Sequence, residues 1–343
     1  MQQHIANDTG GQPPQATDAP RPYAVRLLAA APQTLGPTAL ACVRHARADG
    51  GAEAAADTTG GDPRQILVEL PVLAGSGVEL WESALLVRHG WDGDIGYAEN
   101  GAVLIGQLRL TEAELADTDR AVFHAYARID GFLRRAGYPA WLRVWNFIAG
   151  ITRGDGDGER YRQFSLGRYK ALSLKSGFER ELPAATAIGT RGDGLLIYFV
   201  AGPAPGRQIE NPRQVSAFRY PRQYGPKSPS FSRANLLRWR DTTELLVSGT
   251  ASIVGHETLH IGAPLAQFDE TVANVEALVA HAAPGVALRP ELLKLYLRDP
   301  AQLETLRARF AARFGATPAM ILHGDVCRNE LDLEIEAIFS SAA

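Results

Sequence analysis

The run "VGHETLHIG" at 254–262 sets His256, Glu257 and His260 in the order H-E-x-x-H. On a helix this spacing puts two imidazoles on one face beside a carboxylate, the arrangement of a zinc-dependent peptidase. The neighbouring residues argue against the helix. "LLVSGTASIV" before the motif is alternating and β-branched, Gly255 separates it from His256, and Gly262 and Pro264 follow closely. The stretch therefore reads as a turn leaving a strand, and no metal is expected at His256 and His260.

A second set of ionisable residues lies near the end of the chain. In "LDLEIEAIF", Leu331, Leu333, Ile335, Ala337 and Phe339 share one face of a strand, leaving Asp332, Glu334 and Glu336 on the other. Two readings stay open: a solvated acidic face, or a carboxyl group presented to a cleft as acid or base. Cys327, seven residues before Glu334, is either a small buried apolar residue or a reactive thiol. Upstream, "ERYRQFSLGRYKAL" gathers Arg160, Arg162, Arg168 and Lys170 with Tyr161, Phe164 and Tyr169. The Pro-punctuated "IENPRQVSAFRYPRQYGPKSPSFSRA" adds Arg213, Arg219, Arg222 and Arg233 with Tyr220 and Tyr224. Guanidinium groups beside phenols suit a small dicarboxylate held in a binding loop, against the plainer reading of solvated surface arginines. Neither a Walker A nor a G-x-G-x-x-G signature is present, so no nucleotide cofactor is indicated.

These residues need a scaffold, and 343 residues at 45% hydrophobic suffice for two domains. A net charge of -3 offers no broad basic surface, and no apolar run reaches the roughly 18 residues of a membrane span. Neither nucleic acid nor a membrane is an expected partner. Residues 1–20 read as a tail without a secretory signal, which points to the cytoplasm. Cys42 and Cys327 are the only cysteines, so both thiols are expected free.

Order begins near "YAVRLLAA", and 44–64 reads as a loop. "QILVELPVL", "VELWESALLVRHG", "IGYAENGAVLIGQLRL" and "WLRVWNFIAGI" read as strands. Val122, Tyr126, Ile129 and Leu133 mark a helix closed by Gly137. In the second half "ELLVSGTASIV" reads as a strand and 268–282 as a helix, while "PELLKLYLRDPAQLETLRARFAARFG" reads as further helix interrupted at Pro300 and stopped at Gly315. "AMILHG" and "ELDLEIEAIF" read as strands. The order strand, turn, acidic link, helix, Gly occurs in both halves, which suggests a degenerate internal repeat.

"SGTASIVGHETLHIG", "QFDETVANVEALV" and "ELDLEIEAIF", within about 245–343, resemble signature blocks of the RidA (YjgF) superfamily. With "RVWNFI", "ERYRQFSLGR", "IENPRQVSAFRYP" and "YGPKSPSFSRA", the span of about 140–343 resembles the chorismatases. The resemblance implies an α+β fold of two RidA-like, chorismate-mutase-like units, each a mixed sheet with helices on one face. Residues 21–200 would form the first unit and 201–343 the second, which carries the catalytic residues. It further implies cofactor-free cleavage of chorismate, a catalytic glutamate at Glu334 and a branch-determining position at Cys327. Cys at that position accompanies formation of 3-hydroxybenzoate and pyruvate. Hydrolysis to a dihydroxycyclohexadiene carboxylate plus pyruvate is the alternative, and a RidA-like binding protein the non-enzymatic one. RidA deaminases carry Arg after a Pro-Ala pair, whereas Met320 follows Pro318 and Ala319 here, which counts against imine deamination. Chorismate bears two carboxylates, and Arg160 or Arg168 with Arg213 are expected to hold them, helped by Tyr161 and Tyr220. Two units in one chain are expected to replace the contacts of a trimer, giving a monomer.

Overall fold

A computed structural model describes residues 18–47 and 61–341. The first seven strands are β1 (Ala24–Leu28), β2 (Ala39–Arg47), β3 (Gln65–Gly75), β4 (Val78–Glu82), β5 (Arg88–Asp92), β6 (Ile95–Glu99) and β7 (Leu104–Leu110). There follow α1 (Thr118–Ala136), β8 (Ala140–Ala149), α2 (Arg160–Leu172), β9 (Ala184–Thr190) and β10 (Leu195–Gly202). Next come β11 (Arg207–Ile209), β12 (Ala234–Arg238), β13 (Thr243–Thr250) and a two-strand hairpin of β14 (Ile253–Val254) and β15 (Glu257–Thr258). The chain continues with α3 (Pro264–Ala282), β16 (Leu288–Leu297), α4 (Leu303–Phe314), β17 (Ala319–His323), β18 (Asp325–Val326) and β19 (Leu333–Ser341).

The internal repeat is visible in the strand order. In one sheet β7, β10, β8 and β9 are neighbours in that order; in the other, β13, β19, β16 and β17 are. Each set runs strand, helix, strand, helix, strand, and then a last strand inserts antiparallel between the first two. β8 pairs parallel with β9, and β16 with β17. This is the expected α+β fold of two alike units with mixed sheets.

The sheets stack face to face. Trp145, Phe147, Leu196, Tyr198 and Val200 of the seven-stranded sheet pack against Leu246, Leu292, Tyr296, Met320, Leu322 and Ile338 of the ten-stranded one. α1 and α2 cover the outer face of the first sheet, and α3 and α4 that of the second, giving layers α, β, β, α. The strands of residues 24–82 belong to the ten-stranded sheet, joined to it by the antiparallel pair β3–β17. A boundary at 200/201 therefore divides residues that share one sheet.

Several sequence expectations meet the structure directly. The 122–133 and 268–282 helices form, and Gly137 caps α1 in the left-handed conformation. Residues 254–258 form the tip of the β14–β15 hairpin, so His256 and His260 do not share a helical face. The tail expectation for 1–17 and most of the 44–64 loop, at 48–60, fall outside the described residues, but 44–47 belong to β2 and not to a loop.

The larger correction concerns "PELLKLYL", expected as helix and found as β16. Leu292 and Tyr296 face the neighbouring sheet while Leu293, Leu295 and Leu297 face α3 and α4. A strand buried on both sides reads as a continuous apolar run, which periodicity cannot separate from a buried helix. The basic and aromatic segment "ERYRQFSLGRYKAL" folds as α2. It crosses α1 at Gly167, where a Cβ would lie 2.3 Å from the Asp119 carbonyl oxygen.

Candidate active site

Glu334 and Glu336 point into the space between the sheets, 6% and 4% exposed, so the acidic face of β19 is not solvated. Their surroundings differ sharply. The Glu336 carboxylate accepts from Arg143 Nη2 at 2.8 Å, Thr186 Oγ1 at 2.6 Å and Trp145 Nε1 at 2.8 Å. Lys294 Nζ lies 3.1 Å away and is shared with Glu79 at 2.6 Å. Burial alone would raise its proton affinity, but Lys294 and Arg143, with the Thr186 and Trp145 hydrogen bonds, outweigh it and hold the group at about 2.

Glu334 has no such partners: among the described residues no side chain hydrogen-bonds its carboxyl. Burial first, and then the charge of Glu336, push it up to about 8 against the opposing pull of Arg143 and Arg233. At neutral pH it is a carboxylic acid. It has room because β13 is irregular between Val247 and Thr250 and because residue 249 is glycine. A Cβ there would fall 1.7 Å from Glu334 Oε1. Strand bulges of this kind re-aim side chains near active sites.

Glu334 lies on the wall of a cavity of about 430 Å³, within the range of small-molecule sites. α2 presents Tyr161, Phe164, Ser165 and Arg168 to it, the irregular 210–233 segment contributes Tyr220, Tyr224 and Arg233, and the β18–β19 connection contributes Cys327 and Arg328. Both halves of the chain thus build the site. A larger cleft of about 1420 Å³ near Arg44, Gln107 and Arg109 borders residues on either side of the undescribed 48–60, so its volume counts the described residues only.

The cavity is cationic where it is dry. Arg168 is 3% exposed, and its Nε and Nη2 have no hydrogen-bond partner among the described residues. Two N–H groups on one guanidinium edge match a carboxylate, and leaving them unmet in the interior is costly. Arg233, equally buried, donates through Nη2 to Tyr220 Oη at 2.6 Å and to the Val215 carbonyl at 3.0 Å, while its Nε is unmet. Arg328 sits 3.9 Å from the Tyr224 ring centre and donates to the His256 carbonyl at 2.9 Å. The hairpin that carries the H-E-x-x-H letters therefore braces a cavity arginine, while His260 pairs with Glu270.

Cys327 is free and half-buried on the same wall as Tyr161. Burial and then the nearby Glu334 push the thiol up to about 12, so it acts as S–H and not as thiolate. Of the sequence candidates, Glu334, Cys327, Tyr161, Arg168 and Tyr220 meet at the cavity. Arg160 and Arg213 do not reach it. Arg160 forms a two-pronged pair with Glu112, and Arg213 is held by Asn274 and Glu270 on α3. Arg233, named in the basic segment but not selected, takes their place at the cavity. It directly precedes β12, and nothing in the sequence separates it from the other arginines of that segment. Thr186 and Gly249 carried no chemical signal in sequence.

Comparison with known proteins accords with this geometry. A family model described as chorismatase FkbO/Hyg5-like, N-terminal, matches residues 79–201. A chorismatase of Streptomyces hygroscopicus is 36% identical over 272 residues, covering 76% of this chain and 78% of the relative. A 3-hydroxybenzoate synthase of the same organism is 35% identical over 281 residues, covering 76% and 80%. The crystal structure of a chorismatase at 1.08 Å resolution superposes with a TM-score of 0.78 at 29% identity, covering 94% of this chain and 99% of that one.

The raised proton affinity of Glu334 has a consequence for folding. Its native value, about 8, lies above the ordinary 4.5, so its contribution is complete below 4.5 and is lost as pH rises toward 8. Each pH unit in that window costs up to about 1.4 kcal/mol. Glu334→Gln removes this linkage. Urea unfolding is expected to show the variant gaining on the native protein steadily from pH 5 to 8, whereas a constant difference would mean that Glu334 titrates ordinarily.

Proposed function

The chain belongs to the chorismatase family, and from that premise we propose that it converts chorismate to 3-hydroxybenzoate and pyruvate with Glu334 as the acid. The observation that carries this reading is a neutral buried carboxylic acid facing a cavity beside a guanidinium with two unmet donors. Arg168 receives one substrate carboxylate through Nε and Nη2. Arg233 and Arg328 frame the other, with Tyr161 and Tyr220 against the ring.

The enol ether methylene is a poor base, so its protonation needs a strong, dry, neutral acid. Glu334 delivers that proton, the methylene becomes a methyl group, and positive charge develops on the ether carbon. The neighbouring ring hydroxyl then attacks the ring carbon bearing the ether. That C–O bond breaks, its electron pair stays on the oxygen, which becomes the carbonyl of pyruvate, and the hydroxyl proton returns to the Glu334 carboxylate. The resulting epoxide opens, its oxygen takes a proton and the ring gives up one, leaving 3-hydroxybenzoate. The sum balances without water or an oxidant. Cys327, as a neutral thiol, occupies the place from which water would attack and relays the ring proton, favouring aromatisation over hydrolysis to the diene diol.

The two-unit organisation belongs to the same proposal, with β1–β4 extending the second unit's sheet and the site formed where the units meet. So do a cytoplasmic setting and a monomer, since one chain already holds both units. Light scattering of the purified chain is expected to give the mass of one chain, and a multiple would reject the monomer.

Incubation with chorismate followed by chromatography is expected to yield equal amounts of pyruvate and 3-hydroxybenzoate. Glu334→Gln is expected to lower turnover by about a hundredfold or more. For Cys327→Ala the expected product shifts toward the diene diol, or turnover stops. An unchanged 3-hydroxybenzoate yield would reject the role of Cys327, near-native turnover in Glu334→Gln would move the acid elsewhere, and chorismate recovered intact would leave a binding protein.

A further inference from the structure

Among the buried groups that the proposed reaction leaves unused, the densest set is Glu336 with Arg143, Lys294, Glu79, Thr186 and Trp145. It spans both sheets. β8 supplies Arg143 and Trp145, β9 Thr186, β16 Lys294 and β4 Glu79. Glu336 and Glu334 are two residues apart on β19 and face the same side, so their carboxyl groups are neighbours. Thr186 links the two: its Oγ1 donates to Glu336 and accepts from Arg143 Nη2 at 2.6 Å and from Gly249 N–H at 3.0 Å, beside the Glu334 carboxyl.

We propose that Glu336 is a positioning residue of the reaction: fixed by four donors, it stands as a permanent negative charge that keeps the proton on Glu334, and Lys294 with Glu79 is the counter-ion system that holds it there. The inference rests on the reading of Glu334 as the acid and adds to burial a second cause for an acid that stays protonated beside cationic arginines. Around the pair, the charged and titratable groups are Arg143 on β8, Tyr198 on β10, Lys294 and Tyr296 on β16, Glu79 on β4, His45 on β2, Arg233 before β12, Tyr161 on α2 and Cys327 before β19. His45 is held at about 3 by burial and by Lys294, so it is neutral and adds no charge. Arg143 and Arg233 pull the Glu334 proton off; burial opposes them first, and the Glu336 anion adds to it. Geometry and charge agree with the raised affinity of Glu334 and the lowered affinity of Glu336.

The test is an infrared titration of the protonated carboxyl band of Glu334, assigned by its loss in Glu334→Gln. In Glu336→Gln the midpoint is expected to fall by about one to three pH units, the range of a neighbouring charge. Because that substitution leaves two buried cations with one partner fewer, the charge-balanced Glu336→Gln/Lys294→Met is titrated as well, with the same expected fall. In step with this, kcat/KM for chorismate is expected to drop about tenfold at pH 7 once the midpoint reaches 6, and to recover at pH 5. A merely structural role lowers it equally at both. An unchanged midpoint in either folded variant overturns the proposal. If instead Glu334→Gln keeps native turnover while the band still moves, the charge relation holds and the assignment of Glu334 as the acid fails.

Discussion

The Glu336 carboxylate is where the two sheets are tied. Its partners come from β8 and β9 on one sheet and β16 on the other, and Lys294 also touches Tyr198 Oη at 3.3 Å across the gap. Burying such charges is expensive, and the cost is offset only while every member is met; breaking a buried pair typically costs about 3–5 kcal/mol. At Glu336 the donors from both sheets are all in place, so the sheets are held in one alignment there, while Glu79 keeps its ion pair with Lys294 and has no hydrogen bond to its carboxyl oxygens among the described residues. That alignment decides what β19 presents to the cavity.

Along one strand the same chemical group is therefore put to two uses. Glu336, saturated with donors, is an ion; Glu334, two residues away and facing a bulged β13 at Gly249, is left without donors and keeps its proton. The difference arises from neighbours and not from residue type. The cavity continues the pattern. Arg168 and Arg233 hold unmet donors in the interior, an arrangement that destabilises the empty site and is relieved by a bound dianion.

How much of this was legible in the sequence follows from what periodicity can and cannot encode. The period-2 run of β19 gave the right faces, yet could not tell a solvated acidic face from one buried between sheets, because the second sheet lies more than a hundred residues away in sequence. β16 failed for the related reason that burial on both faces erases the alternation. Lys294, in the middle of that run, belongs to the buried ion network, which nothing in the surrounding apolar residues announces. Glu334 and Cys327, the positions that the resemblance to the chorismatases implies, both line the cavity. Choosing among arginines by sequence failed for Arg160 and Arg213, since each has a local carboxylate partner, Glu112 and Glu270, visible only once the helices are placed. The H-E-x-x-H letters were rightly denied a helix, and their hairpin turns out to brace Arg328.

In the proposed reaction a neutral Glu334 gives its proton to the substrate. That transfer is read from kcat/KM for chorismate between about pH 5 and pH 10, which reports the free enzyme's essential groups. A plateau on the acid side and a single fall as pH passes about 8, where Glu334 loses its proton, are expected. A rate that rises with pH through neutrality would require a base in place of the acid and would contradict that transfer.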